Sequence, residues 1–203
     1  MQMSWKIFWR ERRNRNVLLV SLLALFLTLF SFIHFLTFNE TRSGFHFNDP
    51  VLALFKPMAV SEITFFLTYL LSIYGLIVAL QDPRLFIRLI QAYVFMTLMR
   101  MVCLYLLPLE APASIIPLKD SFLQLYFYSG RDNLKDLFFS GHTATLFLFV
   151  FTFENKRFKN AYAIGAIVVG MLLVLQHVHY SIDVLAAPVF AYLGVVLQKK
   201  INC

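Results

Sequence analysis

Two short runs in this sequence place histidines beside groups that can tune them: Ser140-Gly141-His142-Thr143 and His179-Tyr180-Ser181-Ile182-Asp183. Spacing is the informative part of the second, because residues four apart share one face of a helix. The Asp183 carboxylate can then accept a hydrogen bond from one ring nitrogen of His179, which leaves the other nitrogen unprotonated and nucleophilic. The same pair could instead be structural, since Asp183 is favoured near a helix N-terminus. His177 competes with His179, but four residues on it meets Ser181 and no carboxylate.

The first run reads as the start of a helix. Ser140 could serve as a cap, with Gly141 permitting a tight entry and His142 lying at an interface. Alternatively, the N–H groups and dipole of that helix end form a phosphate site to which Ser140 and Gly141 contribute. His142 could then protonate a leaving oxygen. Arg100 lies in an apolar run beside Met99, Met101, Val102 and Cys103. An arginine there needs an anionic partner, either an acid such as Glu62 or a substrate phosphate gripped by the guanidinium fork. Asp136, just ahead of the first run, could orient a histidine or be a solvated loop residue. Nucleophile, carboxylate partner, proton shuttle and phosphate clamp suit phosphoester exchange through a phosphohistidine. Neither a metal nor another cofactor is required by this set.

The elements that must position these groups are membrane helices. Hydrophobic residues make up 60% of the 203-residue chain and charged ones 14%, and mean hydropathy is +0.71, which excludes an ordinary soluble domain. A spanning helix needs roughly 20 apolar residues. With that window six spans are expected, near 17–38, 60–80, 87–107, 137–154, 160–177 and 182–198. The loops leave no room for a soluble domain. The organisation is therefore all-α: a basic N-terminal segment 1–16, one six-helix transmembrane catalytic domain 17–198 and a tail 199–203. The apolar runs are long and do not alternate, which excludes a β-barrel. The first run continues to about Phe38 with no small-residue cleavage pattern, so it reads as a retained helix and not a signal peptide. Trp5 and Trp9 then sit at headgroup level.

Basic residues give an independent topology. With the N-terminus cytoplasmic, the inner face collects Lys6, Arg10, Arg12, Arg13, Arg15, Arg84, Arg88, Lys156, Arg157, Lys159, Lys199 and Lys200. The outer face receives only Arg42, Lys56, Lys119, Arg131 and Lys135. Both termini are thus expected in the cytoplasm, with His142, His179, Asp183 and the outer half of the third span, which carries Arg100, on the non-cytoplasmic face, whether periplasmic, extracellular or lumenal. The net charge of +7 is explained by a basic rim beside anionic lipid, without nucleic acid as a partner. Cys103 and Cys203 fall on opposite sides and form no metal or disulfide pattern. Asn39-Glu40-Thr41 is a glycosylation sequon on the outer side. Phe122-Leu-Gln-Leu-Tyr-Phe-Tyr128 could line a lipid entrance or be ordinary loop packing.

The run Asp136-Leu-Phe-Phe-Ser-Gly-His142-Thr143 and the run His179-Tyr-Ser-Ile-Asp183-Val resemble the two signature segments of the sphingomyelin synthases, a branch of the type 2 phosphatidic acid phosphatase superfamily. Tyr93-Val-Phe-Met-Thr-Leu-Met-Arg100, with Leu107-Pro108 and Pro112, is more loosely similar to a third segment. The resemblance implies a six-helix core with His179 as nucleophile, Asp183 orienting it and His142 as general acid, then base. Tyr180 and Asp136 would support the histidines. The implied partners are membrane lipids: a glycerophospholipid donor and ceramide or another lipid alcohol as acceptor, with a homo-oligomer left open. A lipid phosphate phosphatase, a phospholipase C-like hydrolase and a non-catalytic lipid-binding protein are the alternatives. Phe139 stands where ordinary phosphatases of the superfamily carry a proline, and Leu173 where they carry an arginine, so their phosphate clamp is missing and more weight falls on Arg100.

Overall fold

The computed structural model describes residues 4–118 and 133–201. Lys119, Arg131, the 122–128 segment and Cys203 lie outside them. Among the described residues there are seven α-helices and no strand: α1 (Trp5–Phe8), α2 (Arg12–Glu40), α3 (Ser61–Leu80), α4 (Pro83–Leu106), α5 (Gly141–Thr152), α6 (Lys156–Leu175) and α7 (Ser181–Ile201). Of these, α2, α3, α4, α6 and α7 are long and apolar enough to cross a membrane, which makes this a multi-pass membrane protein.

Local chemistry sets the helix ends. Asp82 accepts from the Arg84 N–H ahead of α4, whose first residue is Pro83, and Asn155 does the same for Arg157 at the start of α6. Both are N-caps, and proline suits a first helical position because no N–H is needed there. Helix α4 stops where Leu107 precedes Pro108, a pairing that disfavours helical backbone.

The fourth expected span, 137–154, is corrected. Its helix holds only 12 residues, a rise of about 18 Å against a hydrocarbon core of about 30 Å. Residues 133–140 reach it as a non-helical leg. Leu137 and Phe139 made that leg look helical to a hydropathy window, yet both are buried. Irregular backbone at membrane depth is tolerated where protein covers it. Helix α5 is the hub of the bundle, packed chiefly on α6 and α7 and more lightly on α4 and α3. Ala144, Leu146 and Leu148 point into the core. Helix α4 packs on α2 and α7. Gly194 lets α7 approach α4 closely, since a Cβ there would lie 2.9 Å from the Ala92 carbonyl.

The loops gather at two ends. At one, the Trp5 indole donates to the Leu80 carbonyl at 2.6 Å and Arg88 lies 3.6 Å from Glu154. At the other, Asn39 donates to the Lys135 carbonyl at 2.9 Å, and Lys135 meets Glu110 at 3.0 Å. Met58 N–H also reaches the Leu175 carbonyl there at 3.0 Å. Asn39 of the sequon is buried, its side chain bonded to Lys135 and Arg42.

Candidate active site

The second histidine run bridges α6 and α7 at the end bearing Lys135 and Glu110. His179 Nδ1 lies 3.3 Å from Asp183 Oδ2, and the Tyr180 N–H donates to that same oxygen at 3.0 Å. His179 is 2% exposed and Asp183 0%, and Asp183 Oδ1 is buried without a hydrogen-bond partner. Asp183 lies in the first turn of α7. One carboxylate therefore satisfies both readings of the spacing, facing the histidine and complementing the helix dipole. Since Nδ1 faces Asp183, Nε2 is the nitrogen left for chemistry.

The two histidine runs are joined through the backbone: the Ser140 N–H donates to the Asp183 carbonyl at 3.1 Å. Ser140 makes no side-chain cap bond. Its hydroxyl donates to Thr143 Oγ1 at 3.1 Å, so the simple capping reading is replaced by a buried hydroxyl pair. His142 follows Gly141 on α5, and its ring meets the edge of Phe65 from α3, with centroids 6.0 Å apart.

Arg100 is 6% exposed, and it reaches Asp136 Oδ1 at 2.8 Å. This corrects two expectations, because the partner is not Glu62 and Asp136 is not a free, solvated loop residue. A chain distance of 36 residues hid the pairing. Arg100 Nε is buried and unpartnered. The guanidinium lies against Gly141, where a Cβ would come within 1.4 Å of Nη1. Gly141 is thus glycine because the arginine occupies the space of a side chain. A guanidinium and a helix N-terminus at one point can hold a phosphoryl group. Leu173, at the position where an arginine was missed, is fully buried.

Asp49 escaped the sequence reading. From the loop between α2 and α3 it accepts the Ser181 N–H and the Ser181 hydroxyl, capping α7 between His179 and Asp183. Asn48-Asp49-Pro50 was visible only as a turn. Burial pushes its carboxyl up, but hydrogen bonds from Ser181 and Val51 prevail and hold it below its ordinary 3.8. A group lowered in this way stabilises the fold fully above its unfolded value and loses that contribution as pH falls through the folded one. Asp49→Asn should therefore be less stable than the native chain near neutrality. The gap in unfolding temperature, followed in detergent, should narrow as pH drops below about 3.8; a constant gap would refute the assignment.

His177 is oriented elsewhere. Its backbone is left-handed with φ 56, its Nδ1 lies 2.6 Å from Ser114 Oγ, and its ring packs on Phe55. Burial holds it below its ordinary range despite the nearby Asp49 carboxylate. A cavity of about 640 Å³ opens beside Tyr180, lined also by Phe47, Asp49 and Ser114.

Fold and site together describe a polytopic membrane protein with a histidine, carboxylate and arginine cluster at one end of its bundle. Residues 135–200 match the family model described as PAP2 superfamily C-terminal, a stretch that carries both histidine runs and α5 to α7. The match supports the type 2 phosphatidic acid phosphatase superfamily, and with it an enzyme of the lipid phosphatase and phosphotransferase type acting on membrane lipids. No curated protein and no solved structure matches the chain.

Proposed function

We propose that this protein is a phosphotransferase of the sphingomyelin synthase type, moving a phospholipid headgroup onto ceramide or a similar lipid alcohol through a phosphohistidine. The observation that carries the reading is the junction at the start of α5, where Ser140 bonds Asp183 and Gly141 abuts Arg100. In the first step His179 Nε2 attacks the phosphodiester phosphorus. The bond from phosphorus to the glycerol oxygen breaks, and protonated His142 gives its proton to that oxygen, releasing diacylglycerol. In the second step the acceptor hydroxyl loses its proton to His142 as its oxygen attacks phosphorus, and the P–N bond breaks. Asp183 orients His179 and favours the charged ring that forms. Arg100 and the α5 N-terminus bind the phosphoryl oxygens, Ser140 and Gly141 shape that end, and Asp136 and Tyr180 position Arg100 and Asp183. The charge asymmetry supports a non-cytoplasmic face for this chemistry, with both termini inside.

A lipid monoester phosphatase is the second reading, favoured by the superfamily match. Charge argues against it. A phosphomonoester carries about −1.5 to −2 at neutral pH, whereas Arg100, the one buried arginine among the described residues, is already paired with Asp136. A diester, with a single negative charge, fits that balance better. The test is to supply phosphatidylcholine, phosphatidylethanolamine, ceramide and phosphatidic acid to purified protein in separate combinations. Headgroup transfer with diacylglycerol release is expected. Diacylglycerol and free phosphate from phosphatidic acid alone would shift the assignment to the phosphatase. Diacylglycerol and a free phosphorylated headgroup, formed with or without ceramide, would indicate a phospholipase C-like hydrolase.

A further inference from the structure

Helices α6 and α7 both pack closely on α5 but touch each other sparingly. Between them runs a cleft of about 750 Å³. Its lining is almost wholly apolar, and its two hydroxyl residues, Thr143 and Ser181, border the site. Thr143 bonds Ser140 and Ser181 is held by Asp49, so that end of the cleft meets the proposed phosphate position.

From there the cleft descends along α6 from Leu175 to Ala166 and along α7 from Ser181 to Pro188. Nine residues of helix rise about 14 Å, close to half of a hydrocarbon core about 30 Å thick. That is the depth of one leaflet. A groove that starts at headgroup level, ends near mid-bilayer and faces hydrocarbon matches the shape of a lipid tail. Pro188 has no N–H to return to the Val184 carbonyl, and both residues line the cleft.

We propose that the cleft between α6 and α7 holds one acyl chain of the phospholipid whose phosphate sits at the start of α5. This rests on the diester reading above and adds where the donor lipid lies. The groove side of α6 and α7, with Met171 and Leu185 at its open edge, then sets which chains fit. Met171 and Leu185 are exposed on the bundle surface, so they can be enlarged without disturbing the core.

Photo-crosslinking of the full chain in phosphatidylcholine vesicles tests this. One probe is phosphatidylcholine with a diazirine at the end of an acyl chain, and a second carries it beside the ester. The terminal probe should label near Ala166 and Pro188, and the ester probe near Val174 and Ser181. Labelling spread evenly over the lipid-facing helices, Leu23 of α2 and Phe66 of α3 included, would overturn the proposal. The double substitution Met171→Trp with Leu185→Trp should lower terminal-probe labelling in the cleft roughly tenfold, and unchanged labelling would also overturn it. Labelling in the cleft without any headgroup transfer would support the groove and end the transferase reading. Transfer without labelling in the cleft would do the reverse.

Discussion

His179→Ala should abolish headgroup transfer and diacylglycerol release together, a loss on the order of 10⁴-fold or more. The size follows from the proposed role of nucleophile, since among the described residues His179 is the histidine whose ring faces a fully buried carboxylate. The alanine variant also carries a structural penalty. Asp183 is fully buried and its Oδ1 already lacks a partner, so removing the imidazole leaves Oδ2 with the Tyr180 N–H alone, at a cost of about 1–3 kcal/mol. Asparagine separates the two effects. Its amide can donate to Asp183 from close to the place of Nδ1, but it offers no nucleophile. His179→Asn should unfold within a few degrees of the native chain in detergent and still transfer nothing. Retention of a tenth of native activity in the asparagine variant would remove His179 as the nucleophile.

The parts of this arrangement that sequence could reveal were the local ones. His179 and Asp183 share a face because they are four residues apart, and that spacing survives folding unchanged. The ends of α3, α4, α6 and α7 fall near polar or proline punctuation such as Asp82-Pro83, Asn155 and Leu107-Pro108. Hydropathy windows therefore placed these four within a few residues. Helix α5 was misjudged because Leu137 and Phe139 are apolar for a reason unrelated to helix: they fill the core from an irregular leg. The remaining pieces are tertiary. Arg100 meets Asp136 across 36 residues, and Asp49 meets Ser181 across 132. No local pattern encodes such pairings. The need for some anion near Arg100 was legible from the cost of an isolated charge at that depth, but its identity was not. Gly141 was likewise read as permitting a tight helix entry or contributing to a phosphate site, and the guanidinium packed on its face was not legible.

That constraint makes Gly141→Ala the most informative small change in the protein. By backbone freedom alone the exchange is favourable, since Gly→Ala at a compatible position stabilises by roughly 0.4–1 kcal/mol through the unfolded state. Here the added methyl would lie 1.4 Å from Arg100 Nη1 and 2.6 Å from Cζ, so the guanidinium has to leave. Arg100 has few other positions. Asp136 holds it at 2.8 Å, and the rings of Phe32 and Phe139 lie 5.7 Å and 6.0 Å from its Cζ. The expected result is a fall in kcat/KM of about 10²–10³-fold. The unfolding temperature should fall as well, because the displaced guanidinium is buried and paired with Asp136, so kcat/KM is compared at a temperature where both proteins are folded. Arg100→Lys tests the same interaction from the other side: it keeps the charge but loses the two-pronged fork, so it should retain more activity than Gly141→Ala while transferring more slowly than the native chain. If Gly141→Ala transfers headgroups at the native rate, the guanidinium is not needed at the start of α5, and Arg100 is a structural partner of Asp136 alone.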